Sequence, residues 1–301
     1  MAIILLILML VGGLILLFGL GYLIGHLLKL DKYLKDNQNY NNPGLSSVKN
    51  KYILLVAFIT LACFTDLPVI AQASEQASPF KVTADLVSHY VWRGSMATGS
   101  PTPNFQPTLA FTKGNFEIGV WGSTDFVGSY KEFDPYISLI AGHFKLAFTD
   151  YNWNFGQANY FNYKNSETGH RFEGTIGFTG TEAIPISVTW NTMFYGLDKK
   201  SDDSTRQAYS TYIELGYSSG PANIFLGFTP WAGYYNNYGV TTFDPGAGKK
   251  TFSIVNIGAS VTKALKINET FSLPLKATLV INPSATYSRN DYVHLVFGIT
   301  F

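Results

Sequence analysis

The sequence is poor in cysteine and in charge. Its 301 residues include one cysteine, Cys63, and Asp, Glu, Lys and Arg together make up 14% of the chain. A single cysteine excludes a framework of disulfide bonds within the chain. The formal net charge is +1, and a balance this close to zero does not predict binding to nucleic acid. The five histidines do not share the spacing of metal ligands, and we expect neither a metal nor a cofactor.

Long apolar runs are confined to the start of the chain. The segment Ala2 to Leu28 contains no charged side chain and is long enough to cross a bilayer as a helix. A shorter apolar run, Tyr52 to Phe64, follows two lysines and precedes Ala71 and Ala73. This order of basic, apolar and small residues is that of a secretory signal peptide, with cleavage expected after Ala73.

These patterns predict three parts of the chain. Residues 1–48 would form an extra N-terminal transmembrane helix and a polar linker. This part either results from a mis-assigned start or a fusion, or, if it is translated, stays in the inner membrane. Residues 49–73 would form the signal peptide, with Ala71 and Ala73 as the signal peptidase site. Residues 74–301 would form a barrel in the outer membrane. Cleavage would separate this barrel from the inner-membrane helix.

Beyond Phe80 the pattern changes, and no run is long enough for another apolar helix. Apolar and polar residues alternate in segments separated by Gly, Pro, Asn, Asp and Ser, which is typical of an antiparallel meander. The connections are alternately short and long. We therefore predict an all-β fold, an antiparallel up-and-down transmembrane β-barrel of about 12 strands, preceded by the N-terminal apolar helix and the signal peptide.

The first predicted strand, Phe80 to Arg93, shows how the side chains divide between its two faces. An apolar row ends in Tyr90 and Trp92, and the opposite row contains several charged side chains that need water or partners. A membrane barrel places such a row in its lumen and the apolar row against lipid. A lipocalin-like soluble barrel has the reverse arrangement and is the structural rival.

The last ten residues alternate strictly, with one apolar row that ends at Phe301. Their length and pattern are those of a transmembrane β-strand, although an edge strand of a soluble sheet is the simpler alternative. The row resembles the C-terminal signal of bacterial outer-membrane barrels, which their assembly machinery reads. On that resemblance the assembly signal is assigned to Phe297, Ile299 and Phe301.

Strand parity predicts which charged and titratable side chains face the lumen. The candidate pore-lining residues are Lys81, Asp85, His89, Arg93, Glu117, Asp125, Lys145, Arg171, Glu173, Glu214, Lys276 and His294. Residues four apart on a strand lie roughly 13 Å apart, so Asp85, His89 and Arg93 do not form a catalytic or metal-binding set by themselves. We therefore assign no catalytic residue.

Several short motifs together resemble the TorF family of outer-membrane porins in Gram-negative bacteria. They are Val87 to Gly94, of which Ser88 to Gly94 is the most specific part, Gly119 to Ser123, Asp134 and Tyr136. The resemblance covers most of the region after the signal peptide, and it implies an outer-membrane barrel with a pore function. It does not supply the solute.

The sequence thus favours a porin-like barrel that allows passive diffusion of small hydrophilic solutes or ions and is not an enzyme. Its lumen would be a narrow passage, or it would be partly closed by the aromatic loop Pro230 to Lys250. Its expected partners are outer-membrane lipids, the barrel assembly machinery and those solutes. Two alternatives remain open. One is a small outer-membrane barrel enzyme acting on lipids, for which His170 with Ser166 is the best candidate pair. The other is a structural or adhesin barrel without transport.

Overall fold

The computed structural model describes residues 78–153, 155, 159–165, 167–200, 203–237, 252–269, 271–285 and 292–301. The predicted N-terminal helix, the signal peptide and the signal peptidase site at Ala71 and Ala73 lie outside the described residues, as does Ser166. Within the described ranges, no helix is long and apolar enough to cross a membrane.

Twelve antiparallel strands form a closed barrel, which confirms the predicted barrel and strand number. Each strand pairs with its neighbours in the chain, and the first strand closes the ring against the last. Two further short strands, β2 and β3, form a separate hairpin. The strands are β1 (Phe80–Val87), β2 (Val91–Trp92), β3 (Ser95–Met96), β4 (Asn104–Lys113), β5 (Phe116–Asp125), β6 (Lys131–Ala141), β7 (Phe144–Asn152), β8 (His170–Phe178), β9 (Ile186–Gly196), β10 (Thr211–Ser219), β11 (Ala222–Thr229), β12 (Ser253–Lys266), β13 (Ser272–Ile281) and β14 (Val293–Thr300), and one short helix, α1, spans Tyr234–Asn237.

The two ends of the barrel differ in the length of their connections. Three of the turns at one end, between β4 and β5, β6 and β7, and β10 and β11, have only two residues each. Gly114 and Gly220 adopt positive φ in two of them, which a glycine does without steric cost. The opposite end has the longer connections, including 88–103 and 153–169. We call this the loop end.

The side chains alternate between the two surfaces of the barrel. On β4, Asn104, Gln106 and Ala110 are buried, whereas Phe105 and Leu109 are exposed. The same alternation gives an outer surface of large apolar side chains, such as Val82 with 76% exposure and Ile176 with 64%. The inner surface is rich in polar residues. This sidedness is the reverse of a lipocalin-like barrel, whose apolar row points inwards.

The prediction of one continuous first strand to Arg93 is wrong. The strand β1 ends at Val87, and the chain then turns into the barrel, where β2 and β3 form the hairpin Val91–Met96. Tyr90 and Trp92, predicted on the lipid-facing row, therefore lie inside among other aromatic rings. The physical reason is the turn that Arg93 and Gly94 make, which reverses the chain where the alternation alone suggested a longer strand.

Candidate functional site

A tight turn places the tip of the β2–β3 hairpin deep inside the lumen. Arg93 and Gly94 both have positive φ, of 49° and 87°, as the two central residues of a type I′ turn require. A Cβ atom at Gly94 would overlap the carbonyl oxygen of Val255 on β12. Only glycine therefore lets the tip approach the barrel wall this closely. On the neighbouring strand, Asn282, which follows β13, donates from its Nδ2 to Ser95 Oγ at 3.1 Å.

Arg93 is fixed to the opposite wall by a bidentate ion pair. Its Nη1 lies 2.5 Å from Glu173 Oε2, and its Nη2 lies 2.7 Å from Glu173 Oε1. Glu173 also accepts hydrogen bonds from the hydroxyls of Tyr151 and Tyr235, at 3.0 and 3.1 Å. The carboxylate is 1% exposed. Charge-assisted, bidentate bonds of this kind fix orientation as well as adding energy.

The surroundings of Arg93 keep it charged although it is buried. Burial by itself would lower the pKa of Arg93, but the adjacent carboxylate of Glu173 outweighs that cost and holds the pKa well above its usual range. The guanidinium also lies over the rings of Trp92 and Tyr212, with its central carbon 4.5 and 4.8 Å from their centroids. The register between β8 and β9 shifts between Phe172 and Glu173, and the extra residue, Phe194, belongs to β9.

A compact apolar cluster packs around this ion pair inside the lumen, at the level of the hairpin. Met193, Tyr212, Tyr235 and Val255 form its buried part, with Trp92, Trp153 and Tyr234 against it. Tyr234 and Tyr235 belong to α1, so the long connection between β11 and β12 contributes to the same plug. We call these residues, together with the hairpin Val91–Met96, the lumen plug.

A second polar group lies beside the plug, on β6. Glu132 and Asp134 point inwards, are 4% and 3% exposed and hydrogen-bond to each other. Tyr130 donates to Glu132 at 2.7 Å. Arg171, from β8, lies over the ring of Trp153 with its central carbon 4.0 Å from the centroid. Its buried Nε has no hydrogen-bond partner among the described residues.

The predicted pore-lining residues fall into two sets. Those on barrel strands all lie on inward rows: Lys81, Asp85, Glu117, Asp125, Lys145, Arg171, Glu173, Glu214, Lys276 and His294. Of these, the three lysines lie nearer the short-turn end. The other two, His89 and Arg93, lie in the segment that enters the lumen, and His89 faces His294 with ring centroids 5.5 Å apart. That these side chains line a conducting pore stays a prediction.

Several of these inward carboxylates have neutral partners from neighbouring residues. Thr300 donates to Asp85 at 2.5 Å, and Tyr136 donates to Glu117 at 2.9 Å. Asn256 donates to Glu214 at 3.2 Å. Such hydrogen bonds stabilise a charge that is removed from bulk water. These inward carboxylates therefore have hydrogen-bond partners within the wall of the lumen.

The carboxylate of Asp198, in the connection between β9 and β10 at the loop end, also accepts hydrogen bonds. Asp198 accepts hydrogen bonds from the backbone N–H and the hydroxyl of Ser210, at 2.9 and 2.5 Å. Burial raises the pKa of Asp198, and the bonds from Ser210 oppose that rise. The loop between β9 and β10 is thus tied down at its base.

His170, the candidate base of the enzyme alternative, lies outside the lumen. It belongs to the same row of β8 as the exposed Ile176, and it is covered by Tyr160 and Tyr163. Its Nδ1 lies 2.7 Å from Asp150 Oδ1, and its Nε2 lies 2.6 Å from the carbonyl oxygen of Tyr160. Both ring nitrogens are therefore occupied by structural contacts.

Sequence reasoning missed the part of the lumen plug that the β2–β3 hairpin forms, and it missed the role of Glu132. A signal for the plug was present, because Ser88, Gly94, Gly99 and the two prolines Pro101 and Pro103 mark a long irregular connection. The apolar alternation up to Trp92 concealed it. Nothing in the sequence pattern identifies Glu173 as the partner of Arg93, since 80 residues separate them.

The comparisons with known proteins do not assign the chain to a family. No protein-family model and no curated protein matches it. One solved structure, described as "Unveiling the Mechanism Behind the in-meso Crystallization of Membrane Proteins", is similar with a TM-score of 0.39 and 9% sequence identity. The alignment covers 73% of this chain and 82% of that chain. A likeness at this level establishes neither a family nor a function.

Proposed function

We propose that the chain is an outer-membrane β-barrel that conducts small hydrophilic solutes or ions through a narrow passage controlled by the lumen plug. The observation that carries this proposal is the sidedness of the barrel. Large apolar side chains cover its outer surface, and buried polar residues such as Asn104 and Glu173 face its interior. This is the arrangement of a barrel with lipid outside and a polar lumen inside.

The number of strands is consistent with a narrow passage. Barrels of about 8 strands are filled by side chains, and those of 16 or more enclose an aqueous channel. Twelve strands lie between these limits, and here the hairpin occupies part of the interior. Because the hairpin Val91–Met96 belongs to the connection between β1 and β4 rather than to the wall, its displacement would widen the lumen without breaking the barrel.

Conductance in planar bilayers tests the pore. The purified, heat-modifiable barrel is expected to give small, infrequent conductance steps in potassium chloride and slow uptake of small sugars by liposomes. If heat-modifiability shows that the protein is folded and both signals are absent, the proposed function is contradicted. That result would instead favour the structural or adhesin alternative.

A charged substitution on the outer surface tests the location in a membrane. Leu109 is exposed on β4, and Thr108 beside it lies on the inward row. Leu109→Arg is expected to destabilise the barrel in lipid by about 2–4 kcal/mol if it lies near the bilayer midplane. Thr108→Arg, the control, should cost much less because the lumen is polar. Free energies of unfolding by urea in lipid vesicles measure both, and equal costs would refute the proposed orientation.

The enzyme alternative has little support from the contacts of His170. Among the residues that the structure describes, its nitrogens contact Asp150, Asn152 and the carbonyl oxygen of Tyr160, and none of these supplies a hydroxyl or thiol nucleophile. We propose that this group fixes the loop over β7 and β8. Vesicles with defined phospholipids should therefore show no lipid breakdown, and lipid consumption that His170→Ala abolishes would establish the enzyme instead.

A further inference from the structure

A small cavity with aromatic walls lies beside the lumen plug at the loop end. Its volume is about 80 Å³, and its lining consists of Ala97 and five aromatic side chains: Tyr90, Trp92, Tyr130, Trp153 and Tyr234. One water molecule needs only about 10–15 Å³ of such space. The cavity therefore has room for a small organic group.

The walls of this cavity come from separate connections that pack against one another. The ring centroids of Trp92 and Trp153 are 5.3 Å apart, and those of Trp153 and Tyr234 are 5.1 Å apart. Tyr90 contacts Tyr130 on the other side, at 6.1 Å. Several aromatic faces and edges are thus fixed around one small space before any ligand is present, which lowers the entropic cost of binding.

A buried carboxylate lies against the same aromatic rings. Glu132 accepts a hydrogen bond from the Tyr130 hydroxyl at 2.7 Å, and Tyr90 and Trp153 also hydrogen-bond to it. Three of the five aromatic residues of the cavity therefore direct their polar atoms to Glu132. Asp134 lies next to it.

Carboxyl groups outnumber cations around the cavity. Arg93 is neutralised by its ion pair with Glu173. Arg171 is then the nearby cation, and it interacts with the carboxyl groups of both Glu132 and Asp198. Asp134 adds a third carboxyl group beside Glu132. Three carboxyl groups therefore lie near one cation.

We propose that this cavity binds a small quaternary ammonium group, such as a trimethylammonium head. Aromatic faces attract a cation through their quadrupoles, and the excess of carboxylates adds a favourable field. The donors and acceptors around Glu132 already bond to each other. A ligand without N–H or O–H groups at its charged end suits these walls better than a sugar or a primary amine.

This inference rests on the proposed function, because it names the class of solute that the loop end of the passage would select. Binding is measured in detergent, where no flux occurs. Conductance without binding would leave the pore intact and overturn the present inference. Binding without conductance would support the binding site and contradict the pore.

The test uses the full chain, folded in detergent micelles and titrated with tetramethylammonium chloride against sodium chloride of equal concentration. Tryptophan fluorescence and calorimetry are expected to show saturable binding. Glu132→Gln should weaken it by at least about tenfold, which corresponds to roughly 1.4 kcal/mol. Glu214→Gln removes another inward carboxylate outside the cavity and should leave the affinity unchanged. Arg171→Met removes a competing cation and should strengthen binding.

The opposite signs of two variants make the result decisive. If sodium acetate binds instead, and if Arg171→Met abolishes that binding while Glu132→Gln strengthens it, the cavity is an anion site and the inference is wrong. Glucose binding as strongly as tetramethylammonium, or no saturable binding at all, would also overturn it. Heat-modifiability verifies that each variant is folded, and Asp134→Asn replaces Glu132→Gln if the latter is not.

Discussion

Replacing Arg93 by methionine is expected to increase the open probability of the barrel by at least about tenfold. The substitution leaves Glu173 buried without its cation, and breaking one partner of a buried ion pair costs roughly 3–5 kcal/mol. Each 1.4 kcal/mol is about tenfold in an equilibrium constant, so the state with the plug displaced gains greatly in population. Single-channel recordings in planar bilayers measure this change.

Two controls separate the buried pair from a general loss of charge. The double variant Arg93→Met with Glu173→Met removes both charges. Its open probability should return to that of the unchanged protein, because an apolar pair is often as stable as a buried ion pair. Lys164→Met removes a cation whose ion pair with Glu167 is exposed, and such pairs contribute about 0–1 kcal/mol. Its recordings should match those of the unchanged protein. An open probability that stays constant in Arg93→Met would refute the role of the plug.

Gly94→Ala is expected to expel the hairpin from the lumen. The left-handed backbone alone costs an alanine roughly 1–2 kcal/mol. At Gly94 the new Cβ would also overlap the carbonyl oxygen of Val255, which belongs to the rigid wall. The hairpin can relieve this overlap only by moving away from β12. We expect larger conductance and faster protease cleavage within residues 91–96 of the variant.

Gly114→Ala is the matched control for this variant. Gly114 also has a positive φ, of 59°, but nothing lies within 4 Å of a Cβ atom placed there. It should lower the stability of the β4–β5 turn and leave the conductance unchanged. Equal conductance in the two variants would show that backbone strain, rather than the contact with Val255, determines the effect.

The alternation of side chains was enough to predict the barrel but not the contents of its lumen. A row such as Phe105 and Leu109 against Asn104 and Gln106 has a period of two that depends only on local geometry. Summed over the chain, such rows predict the strands and their number, whereas the terminal Phe301 and the alternating loop lengths favour the orientation with lipid outside. The sequence pattern therefore determines most of the wall.

The lumen plug depends on contacts that no local pattern encodes. Trp92 continues the apolar row of β1 in sequence, and only the turn at Arg93 and Gly94 shows that the chain reverses there. The partner of Arg93 lies on β8, and Tyr235 comes from a connection far along the chain. Such long-range pairs depend on which strands face each other across the ring. The buried position of Glu132 follows from the same cause.

The segment that precedes the β2–β3 hairpin is hydrogen-bonded to the seam between β1 and β14, where the barrel closes. Ser88 N donates to Phe297 O at 2.8 Å, and Phe297 N donates to Ser88 Oγ at 3.0 Å. The pairing between β1 and β14 is short: Asp85 to Val87 lie against Gly298 to Thr300, and Ala84 and Phe301 exchange backbone hydrogen bonds beside them. Loss of the seam would therefore release the base of the hairpin, so the two should open as one cooperative unit in native-state hydrogen exchange. The amide protons of Ser88 and Phe297 would then exchange together with those of Val91–Met96.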